Sequence, residues 1–299
     1  MRAPLVNLIN QTIVFQYSLP NTALGIAKCA HTSDQDHCYK TNNSNNDLVQ
    51  IIYNGIVDYS YNESNIDISK LTPLHYRALE SKLRYHRNAP EDIKVKYGFF
   101  GEVLLFLLLY VKYGANTLIS RGYFYNPLEA SETKGYDSYQ LVQKSDGSIE
   151  LWFGEVKFYE SYKEALKKIF SNITKALSND YLSQNVIAMS DRGQFNISGT
   201  PIETIVKAWE ETPTINIITE LQTHKISLVY PILLAFEDNN KDYDTLIKEV
   251  VDHINTKFPS LSYSLGIPAK LFFILLPVSQ TNDLKREVIR WIESNQPLI

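Results

Sequence analysis

Two long apolar segments in the last third of the sequence restrict the fold more than any other feature. Residues 226–236 (ISLVYPILLAF) and 270–278 (KLFFILLPV) carry almost no charge, and both are far shorter than the ~20 residues that cross a bilayer. Their length and composition are typical of strands buried on both faces of a sheet. Each is followed by a predicted amphipathic helix, at 243–258 and at 282–294. This alternation of strand and helix predicts an α/β fold.

The segment before these strands adds further elements to the predicted sheet. In order, they are a helix at 90–113 that is apolar nearly all round, strands at 136–143 and 150–159 joined by a turn at 145–148, and an amphipathic helix at 160–177. Gly114 is expected to end the first of these helices, because glycine favours the left-handed conformation found at helix ends. The sequence therefore predicts a three-layer α/β core with a mixed central sheet flanked by helices.

The first 70 residues show the least regular pattern. An Asn-rich stretch at 41–47 (TNNSNND) predicts a loop, and the apolar stretches beside it predict strands or short helices. Thr72 and Pro73 are suited to the start of a helix. We divide the chain into an N-terminal region at 1–70, a candidate for partner docking, and a main domain at 71–299.

Charge and cysteine content limit the possible functions. The formal net charge is −4, whereas a protein that binds nucleic acid tightly on its own is usually basic. An enzyme of this composition that acts on DNA would need locally basic groups, or a partner that loads it onto DNA. The two cysteines are too few for a disulfide framework. Together with the absence of a long apolar segment, this predicts a cytoplasmic protein with no membrane association.

The residues that could carry chemistry lie in the predicted hairpin. Side chains at i and i+2 of a strand share a face, so Glu155 and Lys157 point the same way, and the hairpin can bring Asp137 beside them. Two buried carboxylates repel each other, and a hard cation with a preference for oxygen ligands relieves that repulsion. We expect Asp137, Glu155 and the Val156 carbonyl to bind Mg²⁺, for which Mn²⁺ could substitute. The ion would activate a water and stabilise charge on a phosphate, with Lys157 orienting the water or neutralising the transition state.

Two neighbouring helices could contribute to the same site. Glu102, in the predicted 90–113 helix, could hold the cation directly or through water, or could simply pair with a nearby Lys or Arg. The helix after the hairpin is the most basic stretch near the site, and we expect its lysines to bind the DNA phosphate backbone. These lysines are Lys163, Lys167, Lys168 and Lys175.

The E-x-K triplet alone is weak evidence, because exposed strands often alternate charges. The simpler alternative is an ion pair on an edge strand, and Asp137 could be a turn or strand-start residue. Apolar flanks at 151–153 and 158–159 favour a central strand instead. With three acidic residues and a lysine in this order, the pattern favours a metal-dependent nuclease of the PD-(D/E)xK type.

Three segments resemble a known family. GYDSYQLV at 135–142, ELWFGEVKFY at 150–159 and LFFILLPV at 271–278 are similar to the nuclease subunit of the Hachiman anti-phage defence systems. The resemblance extends over roughly residues 75–295, and the match is more specific than the nuclease motif because the aromatic flanks also agree.

The resemblance implies a PD-(D/E)xK (restriction-endonuclease-like) fold and a DNA-degrading activity. It also implies a partner, a superfamily 2 helicase, that restrains the nuclease in a heterodimer until DNA damage or phage DNA is sensed. The family's carboxylates correspond to Asp137 and Glu155 and its lysine to Lys157, while Tyr136 stands where the generic motif has proline. Two alternatives stay open: an inactive nuclease fold that binds DNA or docks a helicase, and a restriction-type endonuclease.

Two other groups of residues have weaker functional interpretations. A zinc site is conceivable at Cys29, His31, His37 and Cys38, but adjacent ligands rarely bind one ion, so a solvated loop is the better interpretation. Arg84, His86 and Arg87 could contact DNA phosphates, but a solvated helix face is the better interpretation.

Overall fold

The computed structural model of the protein describes most of the chain. The described residues are 1–26, 36–42, 45–83, 85–120, 124–126, 131–132, 135–190, 198–258 and 262–299. Three residues singled out above, Cys29, His31 and Arg84, lie outside these ranges.

The core of the fold is a seven-stranded mixed sheet. The strands are β1 (Ile13–Ser18), β2 (His37–Thr41), β3 (Asn116–Thr117), β6 (Ser138–Gln143), β7 (Ile149–Tyr159), β8 (Ile226–Glu237) and β9 (Ala269–Val278), and a separate two-stranded ribbon consists of β4 (Tyr125–Asn126) and β5 (Ser131–Glu132). Their order across the sheet is β1-β2-β9-β8-β7-β6-β3. The four central strands β2, β9, β8 and β7 are parallel, while β1, β6 and β3 run antiparallel to their neighbours. The mixed sheet predicted from sequence is confirmed.

Helices cover both faces of the sheet. They are α1 (Ala3–Thr12), α2 (Asn45–Ser60), α3 (Leu71–Ser81), α4 (Glu91–Lys94), α5 (Phe99–Tyr113), α6 (Tyr162–Ala176), α7 (Asn179–Ser190), α8 (Pro201–Glu211), α9 (Ile217–Thr223), α10 (Tyr243–Lys257) and α11 (Thr281–Glu293). One hydrophobic core lies between the sheet and α6–α10, and we call this side the α6 face. The other core lies between the sheet and α1–α3, α5 and α11, and we call this side the α5 face.

The helix predicted at 90–113 is interrupted. The structure has a single turn, α4, followed by α5, which begins after Gly98. A Cβ atom at Gly98 would come within 2.7 Å of a Glu102 carboxylate oxygen, so the glycine leaves room for an acidic side chain in the first turn of α5. The predicted end at Gly114 is confirmed, since this residue is left-handed with φ 62°.

The N-terminal region is part of the same sheet. The β2 strand pairs with β9, and α2 packs against α5 so closely that a Cβ at Gly55 would lie 2.5 Å from Leu107. Helix α2 is buried along nearly its whole length, and Asn54 and Asp58 of its polar stripe are buried with the rest. A docking role for residues 1–70 stays a prediction.

No helix in the described ranges is both long and apolar enough to cross a membrane.

Candidate active site

The candidate site lies where β7 loses one of its two neighbours. The last β6–β7 pair is Ser138 with Gly154, and the Asp137 amide donates to the Gly154 carbonyl at 2.8 Å. From Glu155 onwards β7 is paired only with β8. The predicted E-x-K triplet therefore begins at the residue where this edge of the sheet opens.

Asp137 takes the place of the missing strand. Its Oδ2 accepts a hydrogen bond of 2.9 Å from the Val156 amide, a group that a longer β6 would have bonded through its own backbone. Burial, and then the negative charges of Glu102 and Glu155, raise the pKa of Asp137 to about 7 against the pull of Lys157. Both glutamates therefore disfavour the charged form of Asp137, in the same direction as its burial.

Buried Glu155 and half-buried Lys157 form an ion pair on the α6 face. The Lys157 Nζ lies 2.6 Å from Glu155 Oε1, and the Tyr230 hydroxyl from β8 donates to Glu155 Oε2 at 2.5 Å. Burial alone would lower the pKa of Lys157, but Glu155 and Asp137 outweigh it and the pKa lies above its ordinary value. Lys157 is therefore a permanent cation at neutral pH.

Close backbone packing brings Glu102 to the same place from the other face. A Cβ at Gly101 would lie 2.9 Å from Val156, so the glycine lets α5 approach β7. Tyr59 from α2 donates a hydrogen bond of 2.5 Å to Glu102 Oε2. Glu102 raises the pKa of Asp137 more than Glu155 does, so the helix carboxylate acts on the same residue as the strand carboxylate.

Two cavities meet at these residues. The large cavity, about 520 Å³ in volume, lies toward α5 and α11 and is lined by Glu102 and Lys285 among others. The small cavity, about 260 Å³, lies toward α6 and α7 and is lined by Glu155 and Lys175 among others. Asp137 and Lys157 line both cavities. The opened edge of β7 thus gives access to the candidate site from both faces of the sheet.

The donor set suits a hard divalent cation. Among the described residues, no group of three or more His, Cys, Asp or Glu side chains lies close enough together to hold a metal ion. Glu102 and Glu155 nevertheless both raise the pKa of Asp137, and carboxylate oxygens are the ligands that Mg²⁺ prefers. The Val156 carbonyl, the fourth expected ligand, accepts a hydrogen bond of 3.1 Å from Lys157 Nζ.

The four lysines expected to bind DNA do not lie together at the site. All are exposed on α6, but only Lys175 lines one of the two cavities. Lys163 lies near α10, where it is close enough to Glu249 to affect that residue's pKa. Lys167 and Lys168 line neither cavity. A role for these four lysines in DNA binding stays a prediction.

Three residues of the site were missed by the sequence analysis. Tyr230 and Tyr59 come from distant elements and look like ordinary core tyrosines in the sequence. Lys285 had a detectable signal, because it lies on the buried stripe of α11 between Leu284 and Val288. A lysine on the apolar side of an amphipathic helix is rarely there without a reason.

The described members of the other two groups of residues have ordinary structural surroundings. Cys38 lies in the core of the α6 face, whereas His37 contacts Tyr113 of α5, with Nδ1 2.9 Å from its hydroxyl. Since the two side chains point to opposite faces, they do not bind one ion together. Arg87 pairs with Glu80, and His86 is exposed.

Comparison with known proteins agrees with the sequence resemblance. No curated protein matches the sequence. The HamA family matches over residues 18–292, which include β2, β6–β9 and every residue of the candidate site. The chain therefore belongs to the HamA family, a component of the Hachiman defence system.

Proposed function

We propose that this protein is a metal-dependent deoxyribonuclease of the PD-(D/E)xK type. One observation carries the proposal: where β6 ends, Asp137, Glu155 and Lys157 converge, and Lys157 and Asp137 reach two cavities. An ordinary ion pair would not require a second and third carboxylate beside it, since their repulsion destabilises the fold.

The acidic cluster would hold the metal. Asp137 and Glu155 would be its main ligands, with Glu102 acting directly or through water and the Val156 carbonyl as a further donor. When bound, a divalent ion supplies a more acidic water and a positive charge for the phosphate. In hydrolysis, a water oxygen bonds to phosphorus, the phosphorus–oxygen bond to the neighbouring sugar breaks, and that oxygen receives a proton.

The protein's own residues would position the reacting groups. Lys157, which has three N–H donors, would orient the attacking water or neutralise charge that develops on the phosphate. Tyr230 fixes one oxygen of Glu155, and the Val156 amide fixes one oxygen of Asp137. Both carboxylates are thereby held in place before substrate arrives, which lowers the cost of organising the transition state.

We further propose that a partner restrains this nuclease. An unrestrained nuclease of low specificity would damage the DNA of its own cell, and the net charge of −4 predicts only modest, salt-sensitive DNA binding by the isolated chain. A superfamily 2 helicase, implied by the sequence resemblance, would obstruct the site until it engages DNA. Membership of a multi-component defence system supports this proposal.

The test is cleavage of supercoiled plasmid by the purified protein and by its complex with the helicase, in Mg²⁺, Mn²⁺, Ca²⁺ or excess EDTA. We expect cleavage in Mg²⁺ or Mn²⁺, little in Ca²⁺ because its looser geometry positions water poorly, and none in EDTA. Stronger cleavage by the complex with ATP than without it would support restraint, and equal cleavage by the isolated protein and the complex would contradict it. Cleavage that persists in EDTA would contradict the metal mechanism.

The main competing interpretation is an inactive nuclease fold. It predicts that neither the chain nor the complex cuts DNA under any of these conditions, while both still bind it. The complete set of acidic residues and lysine, held together at an accessible sheet edge, favours the active enzyme.

A further inference from the structure

Lys285 is a buried cation in an unusual environment. It lies on α11, is only 8% exposed, and its ammonium lies 4.8 Å above the Phe158 ring. The ammonium donates a hydrogen bond of 2.8 Å to the Phe158 carbonyl. That carbonyl lies on the edge of β7 that β6 has left open. Lys285 thus caps the sheet edge two residues beyond Val156.

Buried Lys94 and half-buried Lys157 differ from Lys285 in having an acidic partner. Lys94 is 5% exposed, and its Nζ lies 2.5 Å from Glu293. Lys157 pairs with Glu155. For Lys285, no carboxylate in the described part of the chain comes within ion-pair distance. A buried ammonium without a counter-ion is costly, so an apolar residue at this position would serve the fold better.

The ammonium has unused hydrogen-bonding capacity that faces a cavity. An ammonium has three N–H donors, and one of them is used by the Phe158 carbonyl. Lys285 lines the large cavity together with Asp137, Lys157 and its own neighbour Arg286. Burial lowers its pKa to about 8, although Glu160 and Glu237 oppose that effect, so the group is still mostly charged at neutral pH.

We propose that Lys285 forms a phosphate-binding subsite for the nucleic-acid strand, separate from Lys157 and on the α11 side of the large cavity. This inference rests on the proposed function, because it assumes that a strand lies along the opened edge of β7. A phosphate at this position would supply the counter-charge that Lys285 lacks and would accept its remaining hydrogen bonds. Lys157 would contact one phosphate of the strand, and Lys285 would contact another.

The experiment compares Lys285→Met with Lys94→Met. Methionine keeps most of the length of the buried side chain and removes the ammonium with its charge and its N–H donors. Binding of a fluorescein-labelled single-stranded DNA of fixed length, and of the matching duplex, is measured in EDTA over a range of salt concentrations. For Lys285→Met we expect affinity about five-fold lower, with a salt slope smaller by about one unit, which corresponds to one lost phosphate contact. For Lys94→Met, which leaves Glu293 unpaired, we expect unchanged binding.

Thermal stability separates a subsite from a structural role. We expect the melting temperature of Lys285→Met to be unchanged or higher, because an uncompensated buried charge is removed, and that of Lys94→Met to be lower. A loss of stability or folding in Lys285→Met as large as in Lys94→Met would overturn the proposal, and so would unaltered binding and salt slope.

These outcomes are distinct from failure of the proposed function. Binding is measured without metal, so a protein that never cuts DNA but shows the Lys285-dependent salt slope would keep the subsite and lose the nuclease. Metal-dependent cleavage with no effect of Lys285→Met on DNA binding would keep the nuclease assignment and overturn the Lys285 subsite.

Discussion

Strand β7 holds two buried glutamates, one near its start and one just past its middle, and the two are closely alike. Glu150 is 7% exposed and Glu155 is 8% exposed. Glu150 lies 3.1 Å from Lys144 and accepts a hydrogen bond of 2.9 Å from the Trp152 indole. Glu155 lies 2.6 Å from Lys157 and accepts one from the Tyr230 hydroxyl. Considered alone, each glutamate is a buried carboxylate with a lysine as counter-ion and a hydrogen-bond donor.

Their surroundings are different. Glu150 lies where β7 is paired on both sides, opposite Val142 of β6, and it lines neither cavity. Glu155 lies where β6 has ended, and its charge, like that of Glu102, raises the pKa of Asp137. A lysine and an aromatic donor are thus sufficient to stabilise a glutamate in this strand. The like charges and the open edge are what make one of the two a candidate for chemistry.

The largest expected effect separates the two glutamates by activity. Glu155→Gln should lower the rate of Mg²⁺-dependent cleavage by on the order of 10²-fold or more, because it removes a metal ligand and changes the partner of Lys157. Lys157→Met should have a similar effect. Glu150→Gln, which makes the same chemical change on the same strand, should leave cleavage within about two-fold of the unchanged protein. Equal loss of activity in both glutamine variants would show that the comparison is wrong.

The second effect concerns stability as a function of pH in EDTA. The folded protein raises the pKa of Asp137 from 3.8 to about 7, so between these values the folded state binds more protons than the unfolded state. Stability should therefore fall as pH rises through this window. Asp137→Asn should remove the fall and be more stable than the unchanged protein at pH 7, by on the order of 2 kcal/mol. Chemical denaturation of both proteins at pH 4 and pH 7 would measure these free energies of unfolding. The same pH dependence in Asp137→Asn and in the unchanged protein would contradict a raised pKa at Asp137.

The third effect tests whether the aromatic donor at Glu155 contributes to activity. Tyr230→Phe removes only the hydroxyl that holds Glu155, and a hydrogen bond to a charged acceptor contributes about 1.5 kcal/mol, or roughly ten-fold in rate if it serves to position the carboxylate. We expect the cleavage rate at saturating DNA to fall by that factor with DNA affinity unchanged. A fall in affinity alone would place Tyr230 outside the positioning machinery.

The smallest effect concerns the stability of the same two glutamine variants. Glu150→Gln should lower the free energy of unfolding by about 1 kcal/mol, because Lys144 is partly exposed and can be solvated when its partner is lost. In EDTA, Glu155→Gln should be less destabilising than Glu150→Gln, since it also relieves repulsion at Asp137. Denaturant titration of both variants would decide; a larger loss for Glu155→Gln would mean that its pairing outweighs the repulsion.

The sequence was sufficient to place the hairpin and its three charged residues. Alternation by two fixes which residues share a face of β7, and the apolar flanks fix the strand, so the pattern of residues alone groups Asp137, Glu155 and Lys157. The two long apolar strands are confirmed as β8 and β9 for the same reason: their composition suits burial on both faces.

Features that depend on contacts distant in sequence could not be predicted. The pairing of β2 with β9 joins residues more than 200 positions apart, and no local pattern signals it. Helix α2 buries even the polar residues Asn54 and Asp58, and the ion pair of Asp58 with Arg2 joins residues 56 positions apart. The E-x-K spacing distinguishes Glu155 from Glu150 in the sequence. The different surroundings of the two glutamates could not be predicted, because their contacts with Lys144 and Tyr230 and the position where β6 ends are set by the folded structure.

The open edge of β7 has a consequence for the behaviour of the protein in solution. Unpaired backbone groups at a sheet edge can recruit a strand from another chain, and natural proteins obstruct such edges with charged side chains. Here the Val156 amide is bonded by Asp137, the Val156 carbonyl by Lys157 and the Phe158 carbonyl by Lys285. The same three side chains that we assign to metal, phosphate and catalysis therefore also keep the edge from pairing with a second molecule. Variants that neutralise several of them at once should be prone to self-association, and loss of activity in such variants would need to be separated from aggregation.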